Sequence, residues 1–143
     1  MIKFTFRHPQ YPIKIWVVMG CPQKDVLPYI STKAVPITLD DICQDPDDHD
    51  EEVGKAVMFK NGCFLIWIRS LPEDPLTFSN LVHEIFHTAY QIRTWIGAPY
   101  LTDESEEDWA YLISWLTENI LKKHETHRRR GRGTGTVPDV TSK

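Results

Sequence analysis

The sequence predicts an α+β fold: a small twisted sheet of mostly antiparallel strands, packed on one helix that carries paired histidines and on a second, C-terminal helix. Three observations point there. Runs of β-branched and aromatic residues fill the first half, and two of them flank an Asn-Gly pair. Apolar residues at helical spacing then fill two long stretches of the second half. The strands come first and the helices after them, the order of an α+β domain.

The elements follow in chain order. "IKFTF" near the start reads as a short strand, and "YPIKIWVVMG", Tyr11 to Gly20, as a longer one ending at a glycine. From Cys21 to Leu39, prolines and mixed polarity predict a loop with a short helical turn. Asp40 to Glu52 holds eight acids. It lacks the central glycine and the spaced glutamate of an EF-hand loop, so a solvated acidic surface loop is expected.

"KAVMFKNGCFLIWIRS" is a hairpin signal, because Asn61 and Gly62 both tolerate the positive φ of a type I′ turn. Its second arm, Cys63 to Ile68, is apolar throughout, as in a strand covered on both faces. Asp74 and Pro75 then form an N-cap and first position for a helix running to about Ile96, ahead of Gly97 and Pro99. A second helix opens in "LTDESEEDWAYL" and is expected to end near Lys123. Residues 1–122 read as one domain, and 123–143 as a flexible basic tail.

Composition limits the partners. The 143 residues carry a net charge of −4, unevenly spread: Lys122 to Lys143 holds seven Lys/Arg against two acids. Nucleic acid could therefore be contacted only through the tail, since the body is acidic. No stretch has the order of a signal peptide or the length of a membrane span, so a cytoplasmic protein without membrane contact is expected. Cys21, Cys43 and Cys63 are widely spaced without a CxxC pair, which suits reduced thiols.

The chemistry concentrates in "SNLVHEIFHTAY", Ser79 to Tyr90. At about 100° per residue, Phe78, Leu81, Val82, Ile85, Ala89, Ile92 and Ile96 form one apolar stripe. His83 and His87 fall about 140–180° from its reference, with Tyr90 beside them. Imidazoles at i and i+4 stack one turn apart, so both can converge on one ion. Glu84 projects to the side, where it can act on water without ligating the ion.

A catalytic zinc usually takes three protein ligands. A metzincin would continue HExxHxxGxxH, but Tyr90 and Arg93 stand at the glycine and third-histidine positions. The third ligand is therefore expected from the acids between Asp103 and Asp108. On the second helix, Trp109, Leu112, Ile113, Leu116 and Ile120 form the apolar stripe. Glu107 lies about 160° from its centre, in line with Ala110, Tyr111 and Ser114. Small residues behind it permit close helix approach, which favours Glu107, with Glu106 and Glu104 as alternatives.

With "HEIFH" in one helix and "EDWA" opening the next, the chain resembles gluzincin metallopeptidases, whose third ligand is a glutamate followed by Ala or Ser three places later. "LVHEIFHTAYQIRTWIG" with "EEDWAYLISWLTENIL" looks like small metallopeptidases encoded by phages and prophages, most strongly from Trp67 to Leu121. The resemblance implies His83, His87 and Glu107 as ligands of one zinc ion and Glu84 as general base. It also implies a minimal zincin-like fold whose sheet edge, within the hairpin Lys55 to Ser70, lies over the active-site helix and can pair with an extended peptide. Two features of thermolysin-like members have no counterpart. Tyr111 stands where they place an orienting aspartate, and the 143 residues are expected to leave no room for their second domain.

The function expected on these grounds is zinc-assisted hydrolysis of a protein or peptide bond, with Glu84 moving the proton. Tyr90, Tyr111 and His124 are the candidates for a hydrogen bond to the oxyanion, with His124 expected in solvent near the helix end. The alternative is a non-enzymatic phage interaction protein or virion-associated component on a zincin scaffold, with a structural zinc. Glu84 favours the enzyme, since a structural site needs no base.

Overall fold

A computed structural model describes residues 1–30, 53–98 and 100–132. The acidic stretch 40–52, Cys43, Pro99 and the end of the basic tail from 133 lie outside the described residues. Four strands form one mixed sheet in the order β1-β2-β4-β3: β1 (Ile2–Arg7), β2 (Lys14–Met19), β3 (Gly54–Phe59) and β4 (Cys63–Ile68). A short α1 (Leu27–Ile30) follows β2, and two long helices close the chain, α2 (Pro75–Trp95) and α3 (Glu106–Arg132).

Two of the three strand pairings are antiparallel, as expected. The central one, β2 with β4, is parallel, pairing Ile15 with Phe64 and Val17 with Ile66. β4 is buried at every position, which explains its unbroken apolar run: it has a strand on either side and a packed layer on both faces. Alternation then sorts the side chains. Phe64, Ile66 and Ile68 join Ile15 and Val17 against α2 and α3. Leu65 and Trp67 join Trp16, Val18, Val26 and Ile30 on the opposite face, where the Trp67 indole N–H donates to the Cys21 carbonyl at 2.9 Å.

The β3–β4 turn holds a correction. Phe59 pairs with Cys63, so the loop has three residues, Lys60, Asn61 and Gly62, rather than two. Asn61 (φ 70°) and Gly62 (φ 68°) are both left-handed, so the pair supplies the conformation expected of it inside a longer loop. A side chain on Gly62 would also meet the Pro12 carbonyl at 2.9 Å, which adds a steric demand for glycine there.

α2 begins where its cap predicts. The Asp74 carboxylate accepts from the backbone N–H of Leu76 and Thr77, and the Asp74 N–H donates to the Thr77 hydroxyl, completing a capping box. Its core contact is a narrow line, Leu81, Ile85, Ala89 and Ile92, with Val82 on the rim at 40% exposed. Burying each large apolar side chain contributes about 1.5–3 kcal/mol. That outweighs any one surface ion pair and fixes which face points inward.

α3 does not end near Lys123 but continues to Arg132. Glu125 pairs with Arg128 and Arg129 along the exposed face, His127 stacks on Phe4 of β1 with ring centroids 6.0 Å apart, and His124 is buried rather than in solvent. The sheet therefore holds turns that lack an apolar period of their own. Among the described residues, no helix is long and apolar enough to cross a membrane. Cys21 and Cys63 are buried free thiols, and burial pushes both thiol pKa values up.

Candidate metal centre

His83 and His87 occupy the face of α2 turned away from the core, and both are exposed. Their Nε2 atoms stand 3.0 Å apart. At that distance one ring can donate to the other, the roles set by the tautomers, or both lone pairs can be directed at one cation. Zn–N bonds of about 2.0–2.1 Å place tetrahedral nitrogens about 3.3 Å apart, only a few tenths of an ångström wider. The pair fits a shared zinc ion.

Glu84 sits differently. It is 7% exposed and lies on the flank of α2 that faces the edge strand β3. A Cβ built on Gly54 would stand 3.0 Å from Glu84 Cγ, so the absent side chain of Gly54 is what makes room for the glutamate stem. The same flank carries Thr88, whose hydroxyl donates to the Glu84 carbonyl at 2.8 Å, and Gln91, whose side-chain N–H donates to the Ala56 carbonyl of β3 at 3.0 Å. Sequence reasoning missed Gly54 and Gln91. The available signals were a glycine opening a strand and a polar residue seven places after Glu84, two turns along the same flank.

The opposite flank of α2 faces the start of α3. Phe86 lies 6.4 Å from the His87 ring and 6.1 Å from Trp109, and Tyr90 lies 6.2 Å from Trp109, all between ring centroids. Arg93 reaches across to Asp108 at 3.4 Å. These contacts bring the first turn of α3, with Glu106 and Glu107 exposed, alongside the helix that carries the histidines. Among the described residues, however, no three His, Cys, Asp or Glu side chains are gathered closely enough to hold an ion.

The two tyrosines part company. Tyr90 is half exposed on the flank between the histidine face and Trp109. Tyr111 instead lines a cavity with His8, Tyr11, Arg93, Asp108 and Trp115, a surface to which His83, Glu84 and His87 do not contribute. His124 lies towards the other end of α3, in a pocket shared with Pro72 and Glu73 ahead of α2.

The arrangement is therefore a two-imidazole donor pair on an exposed helix face. A buried carboxylate lies under an edge strand on one side, and an acidic helix start lies on the other. No protein-family model, no curated protein and no solved structure matches the chain.

Proposed function

We propose that the chain is a zinc-dependent metallopeptidase that hydrolyses a protein or peptide bond. The observation that carries this reading is the convergence of His83 Nε2 and His87 Nε2 to 3.0 Å on an exposed face. In this reading the two imidazoles and the exposed Glu107 would hold one zinc ion. Bound zinc supplies a Lewis acid that polarises the scissile carbonyl and makes water acidic at neutral pH. Glu84 accepts a proton from water as it attacks and returns it to the leaving amine. Its stem is packed between α2 and β3, and that packing supports a positioned base in this reading. Tyr90 is the better-placed hydroxyl for the oxyanion, since Tyr111 faces another cavity.

The family resemblance adds a phage or prophage setting, with a host or phage protein in the cytoplasm as substrate. A second reading, an interaction protein on the same scaffold with a structural zinc, draws support from the lack of a gathered third ligand among the described residues.

Metal content tests the site. Protein purified without chelators should carry close to one zinc per chain, retained in Glu84→Gln and lost in His83→Ala or His87→Ala. A metal-free wild type would end the proposal. Activity is read separately, from peptide termini in a host lysate incubated with wild type or Glu84→Gln. New termini with wild type alone support the enzyme, and identical termini favour the second reading.

A further inference from the structure

We infer that the cavity between the β1–β2 turn and the α2–α3 junction binds a small carboxylate with an aromatic or branched apolar body. The cavity has a volume of about 440 Å³, within the roughly 300–1,000 Å³ of small-molecule sites. Four rings, His8, Tyr11, Tyr111 and Trp115, line it together with the apolar Ile96 and Leu112, and Arg93 and Asp108 bring the charge. None of these residues belongs to the proposed metal centre; Tyr111, a sequence candidate for the oxyanion, lies here instead.

The charge at the cavity is held in place before any ligand arrives. Arg93 is 8% exposed. Its Nε donates to the Ala98 carbonyl at 2.9 Å, and its guanidinium lies 5.8 Å from the Trp109 ring centre. A guanidinium carries five N–H donors. Beyond Nε, its only acceptor among the described residues is Asp108, at 3.4 Å from Nη1. That is longer than the roughly 2.7–2.9 Å of a strong charge-assisted bond, and the Asp108 side chain is 69% exposed. A stretched pair whose carboxylate stands largely in solvent contributes little. Arg93 is thus a buried, ordered cation with a weak incumbent partner, and a ligand carboxylate can take its place in a better-shielded position.

The rest of the lining sets the body of the ligand. His8 Nδ1 accepts from the backbone N–H of Gln10 at 3.1 Å and of Tyr11 at 3.3 Å, so the neutral ring carries its proton on Nε2. Burial keeps this histidine towards the neutral form. Its ring packs at a tilt against Tyr11, with centroids 4.8 Å apart, and against Trp115, at 4.5 Å. The walls therefore offer flat apolar faces, one neutral donor and two phenol hydroxyls around a single cation. A phosphate dianion would lose more hydration than one guanidinium returns. A monoanionic carboxylate on an aromatic or branched apolar group matches both the charge and the walls.

Calorimetric titration with 3-phenylpropionate and with 3-phenylpropionamide tests the assignment. The acid should bind at least about ten-fold more tightly than the amide, the loss expected when a charge-assisted contact is removed. Asp108→Asn should tighten the acid about three-fold or more, because the competing anion is gone, and leave the amide unchanged. Tyr111→Ala should weaken both ligands. Asp108 and Tyr111 are exposed, so the variants are expected to fold, with circular dichroism as the check. Equal binding of acid and amide, no binding of either, or an unimproved acid affinity in Asp108→Asn would each overturn the inference. None of these outcomes depends on zinc or on peptidase activity.

Discussion

Gly54 of β3 and Glu84 of α2 are in direct apposition, with a Cβ on the glycine destined to fall 3.0 Å from Glu84 Cγ, 2.9 Å from Ile68 Cδ1 and 3.1 Å from the Trp67 carbonyl. The Ile68 methyl can turn away. The Trp67 carbonyl is backbone and cannot. Gly54→Ala should therefore cost about 1–3 kcal/mol by overpacking, read as a lower urea midpoint. Replacing Glu84 by Ala removes one of the three collisions, so the glycine substitution should cost less in that background. A double-mutant cycle with a coupling of about 0.5 kcal/mol or more is expected, and strictly additive effects would separate Glu84 from the edge strand.

The N-terminus of α2 gives a second test, since it sets the registration of the whole site-bearing helix. Hydrogen bonds from Thr77, backbone first and then hydroxyl, hold the Asp74 carboxyl below its ordinary value of 3.8. A carboxylate depressed in the folded state stabilises above its unfolded pKa, and that contribution is lost as pH falls through the lower folded value. Asp74→Ala should lower the unfolding midpoint at pH 7 and narrow the gap to wild type as pH falls below 3.8. Asp74→Ser should recover most of the loss at pH 7. An alanine variant as stable as wild type at pH 7 would show that the cap is dispensable.

What the sequence made legible was local. Asp74 and Pro75 mark the start of α2, the apolar run of β4 marks a strand buried on both faces, and the phasing of His83 and His87 places them off the core. Each signal is carried by residues within a turn or two of one another. What the sequence hid depends on distant partners. The three-residue β3–β4 loop follows from Phe59 pairing with Cys63, and the parallel β2–β4 pairing joins segments far apart in the chain. The seat of Glu84 depends on a glycine thirty positions earlier, and Tyr111 is drawn to a cavity half built by the β1–β2 turn. Helical phasing gives the angle of Glu107 on α3 but not the distance between two helix axes. The histidine pair could therefore be read from one helix, whereas the distance from it to Glu107 could not.

His8 supplies a pH test remote from the paired histidines. Burial lowers its pKa from 6.5, so the unfolded chain binds its proton more readily than the folded one. The sign is the same as for a depressed carboxylate: the contribution is full above about pH 6.5 and is lost as pH falls through the lower folded value. Protonation would also place a hydrogen on Nδ1, where the Gln10 and Tyr11 amides already donate. Urea stability should decline as pH falls below 6.5, and His8→Phe should remove part of that slope while keeping an aromatic ring beside Trp115. An unchanged slope in His8→Phe would assign the decline to other groups.

The last turns of α3 make a prediction that the charge pattern alone would reverse. A basic segment with no apolar period should be dispensable if it is only a solvated tail. His124 is buried and His127 stacks on Phe4, so these turns cover the outer strand of the sheet. The Glu125 pairs are exposed. Hydrogen bonds from Arg128 and then Arg129 hold this carboxyl down to about 2, yet solvent screens what such pairs contribute to stability. The packing of His124 and His127 is therefore the larger effect. A chain ending at Lys123 should be less stable than one ending at Arg132 by about 1–3 kcal/mol, the range for losing packed side chains and an aromatic contact. Phe4→Ala should cost the longer chain more than the shorter one, because only the longer chain has the His127 ring to lose. Equal unfolding midpoints for the two chains would mean that the final turns of α3 do not pack on β1.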